Sequence, residues 1–138
     1  MRAEQAWNEL LQITEESVSK RVQVGRPENE IRWLRPNRLV MLGKWTVQAR
    51  FVAERGKFTI YFERFGAELG DQNFDLPPGS GSVKTTVWTV LLEINNGQVF
   101  WRFSDGQILA SAEVARRVLT RIPNFQREYA TSVLAPGY

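Results

Sequence analysis

The chain has 138 residues, 43% of them apolar and 24% charged, with 18 basic against 15 acidic side chains and a formal charge of +3. It contains no histidine and no cysteine, which removes the imidazole proton shuttle, thiol chemistry, disulfide frameworks and the usual zinc ligands. A serine nucleophile would have to take lysine or carboxylate as its base, and a metal site would be all oxygen. On this reading no catalytic residue, metal ligand or cofactor is assigned.

The length suits one domain, 1–138, with enough apolar content for one core. The opening Met1-Arg2-Ala3-Glu4-Gln5 leads into a helical pattern without the apolar run of a signal peptide, and no stretch approaches the ~18 consecutive apolar residues of a membrane span. A cytoplasmic protein without a membrane partner is expected. The charge is unevenly spread: residues 20–64 carry eleven basic and four acidic groups, a balance of +7, while residues 65–138 carry six and seven, a balance of −1. Such a basic middle suits nucleic acid, an anionic lipid surface or an acidic protein partner, and more simply the solvated edges and faces of a sheet.

In chain order, Ala3, Ala6, Trp7, Leu10, Leu11, Thr14 and Val18 recur at helical spacing, and Gly25 and Pro27 mark the exit from that helix. The period then changes to two. Ile31 and Trp33 alternate with Glu30 and Arg32, Arg38 to Leu42 is a short apolar run, and Trp45, Val47, Ala49 and Phe51 alternate with polar neighbours. Glu54-Arg55-Gly56-Lys57 reads as a hairpin link into Phe58, Ile60 and Phe62. Residues 66–82, with four glycines and two adjacent prolines, read as a mobile loop. Val83 to Ile94 is apolar on both sides, so a central strand covered at least partly on both faces is expected. Asn95-Asn96-Gly97-Gln98 has the residues of a type I′ turn, and Val99, Trp101 and Phe103 restore the alternation. After Ser104-Asp105-Gly106, Ser111 is placed as the cap of a helix with Val114, Ala115, Val118, Leu119 and Ile122 on one face. Pro123 is expected to interrupt it, and Asn124 to start a last short helix showing Phe125, Tyr129 and Val133 before a frayed tail, 135–138.

The fold class that follows is α+β: a single antiparallel sheet of five to six strands, open or strongly curled, with an N-terminal helix and one or two C-terminal helices on one face. Alternation directs Trp45, Phe51, Phe58, Phe62, Trp88, Val90, Trp101 and Phe103 toward the helices. The opposite face, wholly or partly open, then presents Lys44, Thr46, Gln48, Arg50, Thr59, Tyr61, Glu63, Thr89, Phe100 and Arg102.

Several apparent motifs fail on inspection. Gly79-Ser80-Gly81-Ser82-Val83-Lys84-Thr85 ends like a phosphate loop, but valine precedes the lysine and a strand-like segment follows where a helix is needed. Asp71-Gln72-Asn73-Phe74-Asp75 begins like a calcium loop, then places Leu76 at the required glycine and Ser82 at the required glutamate. Glu63 and Glu93 are a carboxylate pair only if the fold joins them. Arg116, Arg117 and Arg121 on the C-terminal helix form a basic group suited to phosphate or to plain solvation.

The leading expectation is a non-enzymatic binding or protein-interaction module, self-associating as a homodimer or engaging a protein partner. The alternative is a nucleic-acid-binding domain whose basic and aromatic sheet face holds phosphates and stacks bases. A cleft for a small-molecule ligand is a variant of the first, and an enzyme using carboxylate, Tyr61 or lysine chemistry comes last. The binding candidates are Arg32, Trp33, Lys44, Arg50, Tyr61, Phe100 and Arg102, with Trp33 read either as an edge-strand core residue or as an exposed interface anchor.

Overall fold

A computed structural model describes residues 2–23, 31–42, 45–66 and 84–134 of the chain. Helix α1, Ala3–Gln23, precedes strands β1, Ile31–Leu34, β2, Arg38–Met41, β3, Trp45–Glu54, β4, Lys57–Gly66, β5, Lys84–Asn95, β6, Gln98–Phe103, and β7, Ile108–Ala110. Helix α2, Ser111–Leu134, follows. The strands form one antiparallel sheet in sequence order, β1 to β7, so every neighbour in space is a neighbour in the chain. The class is α+β as expected, but the sheet has seven strands rather than five or six.

The seventh strand escaped the sequence because three residues are too few to display alternation. Its pairing is set by the turn before it. Gly106, at φ 92°, donates its N–H to the Phe103 carbonyl at 2.9 Å, and Phe103 N–H reaches the Gln107 carbonyl at 2.8 Å. The Asp105 carboxylate accepts the Gln107 N–H at 3.0 Å, an Asx turn that aims the chain back along β6.

The two long hairpins have the same two-residue turn. Arg55 and Gly56 take φ 53° and 76°, and Asn96 and Gly97 take 52° and 78°. Both central residues are left-handed, the type I′ geometry whose twist matches that of the strands it joins. These turns fix the register, with Glu54 opposite Lys57 and Asn95 opposite Gln98, and thereby which side chains share a face.

One face carries Leu39, Val47, Ala49, Phe51, Phe58, Ile60, Phe62, Val90 and Trp101, all buried beneath the two helices. From α1 come Ala6, Trp7, Leu10 and Val18; from α2 come Val114, Val118, Leu119, Ile122 and Phe125. Trp7 is the hinge of this packing, its ring centroid 4.9 Å from Phe58, 5.6 Å from Trp101 and 5.9 Å from Phe51. Trp101 in turn donates its indole N–H to Ser111 Oγ at 2.9 Å, tying β6 to the start of α2. Ser111 therefore begins the helix as an acceptor for a core tryptophan. Arg35, beyond β1, pairs with Glu15 of α1 at 2.8 Å.

Helix α2 runs through Pro123 rather than breaking there. Proline removes one backbone hydrogen bond and costs about 3 kcal/mol in a helix interior. Val118, Leu119, Ile122 and Phe125 are buried on both sides of it. At roughly 1.5–3 kcal/mol per buried side chain, that shared apolar stripe outweighs the interruption. The loop expected at 66–82 lies, after Gly66, outside the described residues, as do the tail 135–138, the side chains of Trp45, Tyr129 and Val133, and the glycine and proline at 25 and 27.

Candidate functional site

The outer face of the sheet divides into two halves. On β2 to β4 it is withdrawn from solvent: Val40, Thr46, Gln48, Thr59, Glu63 and Phe65 are all buried. The alternation places Thr46, Gln48, Arg50, Thr59, Tyr61 and Glu63 together on this face, but not as the open platform expected of it. Two features of the sequence already stand against an open face here. Val40 and Phe65 are apolar at outer-face positions, and an apolar residue there is evidence of burial on both sides.

A buried charge must be paired or hydrogen-bonded, and Glu63 is both. Gln48 lies opposite it in the ladder and donates Nε2–H to Glu63 Oε1 at 2.9 Å. Arg50, diagonally placed, sets Nε 3.7 Å from the same oxygen, with 11% of its side chain exposed against 1% for Glu63. Arg50 is thus committed to a neighbouring carboxylate. Tyr61, its direct partner across the ladder, is half-buried. Glu93 does not join this group: Glu63 pairs with Thr85, eight positions from Glu93 along β5, a span of about 26 Å.

On β5 to β7 the outer face is different. Val87 is 47% exposed, Leu91 59% and Ile108 45%. Leu91, Arg102 and Ile108 face one another in one cross-strand row, and Glu93, Phe100 and Ala110 form the next. Arg102 Nε reaches Glu93 Oε1 at 2.5 Å between the two rows. The result is an apolar surface with one internal ion pair of zero net charge. Of the partial cover expected on both faces of β5, the helix side is buried at Val90, while on the outer side Thr89 and Glu93 are half-buried and Val87 and Leu91 lie open.

A third feature lies on the helix side, at the far end of β5 and β6. Trp88 and Phe103, half-buried and 5.6 Å apart at 70°, form one wall of an open pocket of about 510 Å³. The other wall is a second stripe of α2, with Arg116, Arg117, Thr120, Arg121 and Asn124 at positions i, i+1, i+4, i+5 and i+8. Ser104 and Asp105 close the rim. Arg116 makes a bidentate contact with Glu113 at 2.5 and 2.6 Å. That hydrogen bond and the arginine's charge hold the Glu113 carboxyl below the usual carboxylate range, and push the Arg116 guanidinium up. Arg121 lies over the Phe125 ring at 4.9 Å, and the buried Arg64 over the same ring at 4.5 Å.

The sequence-selected residues scatter over these environments. Arg32 is exposed on β1, on the outer face. Trp33 is on the helix side and packs on Phe51 with centroids 5.8 Å apart, which makes it an edge-strand core residue rather than an exposed anchor. Lys44 lies outside the described residues. Arg50 and Tyr61 sit in the buried half of the outer face, Phe100 and Arg102 in the apolar half. Only the last two adjoin an exposed apolar surface. Val87, Leu91 and Ile108 were missed, although the two-sided apolar run of β5 was the signal for the first two; Ile108 lies on the three-residue β7, which shows no pattern. Among the described residues no cluster of carboxylates suits a metal ion, and no helix is long and apolar enough to cross a membrane. Lys84 and Thr85, the end of the apparent phosphate loop, begin a strand.

Comparison of the chain with protein-family models, with curated proteins and with solved structures finds no match.

Proposed function

We propose that this protein is a non-enzymatic protein-interaction module whose partner is a second copy of itself, joined through the outer face of β5 to β7. The observation that carries this reading is the exposure of Leu91 and Ile108 on either side of Arg102 in one cross-strand row, with Val87 exposed beyond Thr89 on the same face of β5. Large apolar side chains left exposed on one face of a stable domain favour an interaction surface there, and those near its centre supply most of the binding energy. A second copy is the fitting occupant because the face carries one carboxylate, Glu93, and one guanidinium, Arg102, already in contact. In a two-fold arrangement such a pair meets its own mirror without a like-charge clash.

A cytoplasmic setting belongs to the same reading, in keeping with a chain that has no cysteine to oxidise. The nucleic-acid alternative has less geometric support, since Arg50 is engaged with Glu63 and the cation beside Leu91, Arg102, is paired with Glu93.

The test is sedimentation equilibrium over a concentration series, on the unmodified chain and on Leu91→Glu. A reversible dimer that becomes monomeric in the variant, with unfolding unchanged, supports the reading. A chain that stays monomeric throughout, or a dimer indifferent to Leu91→Glu, contradicts it.

A further inference from the structure

We propose that the pocket between α2 and the Trp88 to Phe103 wall binds a nucleoside monophosphate, with its phosphate on Arg116 and Arg117 and its base on the tryptophan. Three chemistries meet in this one concavity, and the ligand class follows from the combination. The first is cation excess. Arg116, Arg117 and Arg121 line the pocket, against the carboxylate of Asp105 on its rim and that of Glu113 beside Arg116. Both carboxylates have internal work: Glu113 holds Arg116, and Asp105 accepts the Gln107 N–H. Arg117 makes no ion pair within 4 Å among the described residues, although the Glu113 carboxylate feels its charge, and its exposed side chain lies on the pocket wall. A guanidinium presents a planar fork of donors that matches phosphate oxygens two at a time.

The second chemistry is aromatic. Trp88 and Phe103 are only partly buried, although Trp88 also packs edge-on against Phe62 at 4.5 Å. The tryptophan is therefore held rigidly by the core while part of it remains available to a planar ring, the arrangement that base stacking uses. The third is a polar rim. Ser104, Asp105 and Asn124 offer a hydroxyl, a carboxylate and an amide, groups suited to sugar hydroxyls and a base edge. A bare phosphate needs only the first of these features, and an apolar ligand only the second. The volume of about 510 Å³ falls within the roughly 300–1,000 Å³ typical of small-molecule sites.

The experiment titrates the full chain with adenosine monophosphate, adenosine and inorganic phosphate, followed by calorimetry and tryptophan fluorescence. The nucleotide is expected to saturate, and to bind at least about tenfold more tightly than either fragment. Arg117→Ala, at an exposed position, is expected to weaken it about tenfold with the fold intact. Trp88→Phe keeps an aromatic ring, so it should retain calorimetric binding while losing most of the fluorescence response. Leu91→Glu, on the opposite face of the sheet, should leave the titration unchanged, which separates this site from the proposed dimer surface. Failure of the nucleotide to saturate by about 5 mM, equal affinity for inorganic phosphate, or indifference to Arg117→Ala would each overturn the proposal.

Discussion

Arg50 sets its guanidinium Nε 3.7 Å from the Glu63 carboxylate, diagonally across the β3–β4 ladder, on the side of the sheet away from the helices. A basic residue that alternation assigns to an open surface is instead part of a buried polar group. The consequence for stability is asymmetric, because removing either partner leaves a charge with little access to water. Arg50→Leu and Glu63→Leu are each expected to cost about 3 kcal/mol or more in urea unfolding, whereas the double variant recovers most of that loss. Strictly additive losses in this double-mutant cycle would show that the two side chains are not coupled.

The same pair shows what the sequence can and cannot reveal. Alternation from Val47 to Phe62 assigns faces correctly, because the turn at Arg55-Gly56 leaves the register no freedom. Whether a face meets water is a different question, decided by contacts between residues far apart in the chain. Arg50 and Gln48 look like surface residues until Glu63 is seen 13 and 15 positions away as their shared partner. Val87 and Leu91 look like core for the opposite reason: an apolar residue shows its preference for burial, not whether this fold grants it. The continuity of α2 through Pro123 was hidden in the same way, since the local rule for proline is overridden by a stripe that packs on distant strands.

Trp101 is fully buried, and its indole N–H depends on Ser111. Ser111→Ala leaves that donor without its acceptor, so a loss of about 1–3 kcal/mol is expected in urea unfolding. Ser111→Thr, which keeps a hydroxyl, should lose less. Equal stability of Ser111→Ala and the unmodified chain would mean that another acceptor replaces the serine.

The hairpin glycines are held by backbone geometry alone. Gly97 and Gly56 have φ of 78° and 76°, and an added Cβ at either meets nothing within 4 Å. Gly97→Ala and Gly56→Ala should therefore each cost about 1–2 kcal/mol, from the left-handed conformation without any clash. Thermal unfolding of the two variants tests the equivalence, and a loss at one turn but none at the other would break it.

Glu113 and Arg116 form an exposed pair at the start of the pocket stripe. Because the folded carboxyl is held below its unfolded value, its contribution is present above the usual carboxylate range and is lost as pH falls through the lowered value. Carboxyl carbon NMR should find Glu113 titrating below the usual carboxylate range, and Arg116→Ala should return it toward that range. An unchanged midpoint in that variant would remove the arginine as the cause.

Which face of the sheet meets a second copy is directly measurable, because the chain has no cysteine to compete with an introduced one. A single nitroxide can be placed at Gln98→Cys, exposed on the outer face near Phe100, or at Asn8→Cys, exposed on α1. Dipolar spectroscopy at dimer-forming concentration should give a short, well-defined distance for the label at 98 and a longer one for the label at 8. The opposite order, or no coupling at position 98, would contradict an interface on the outer face of β5 to β7.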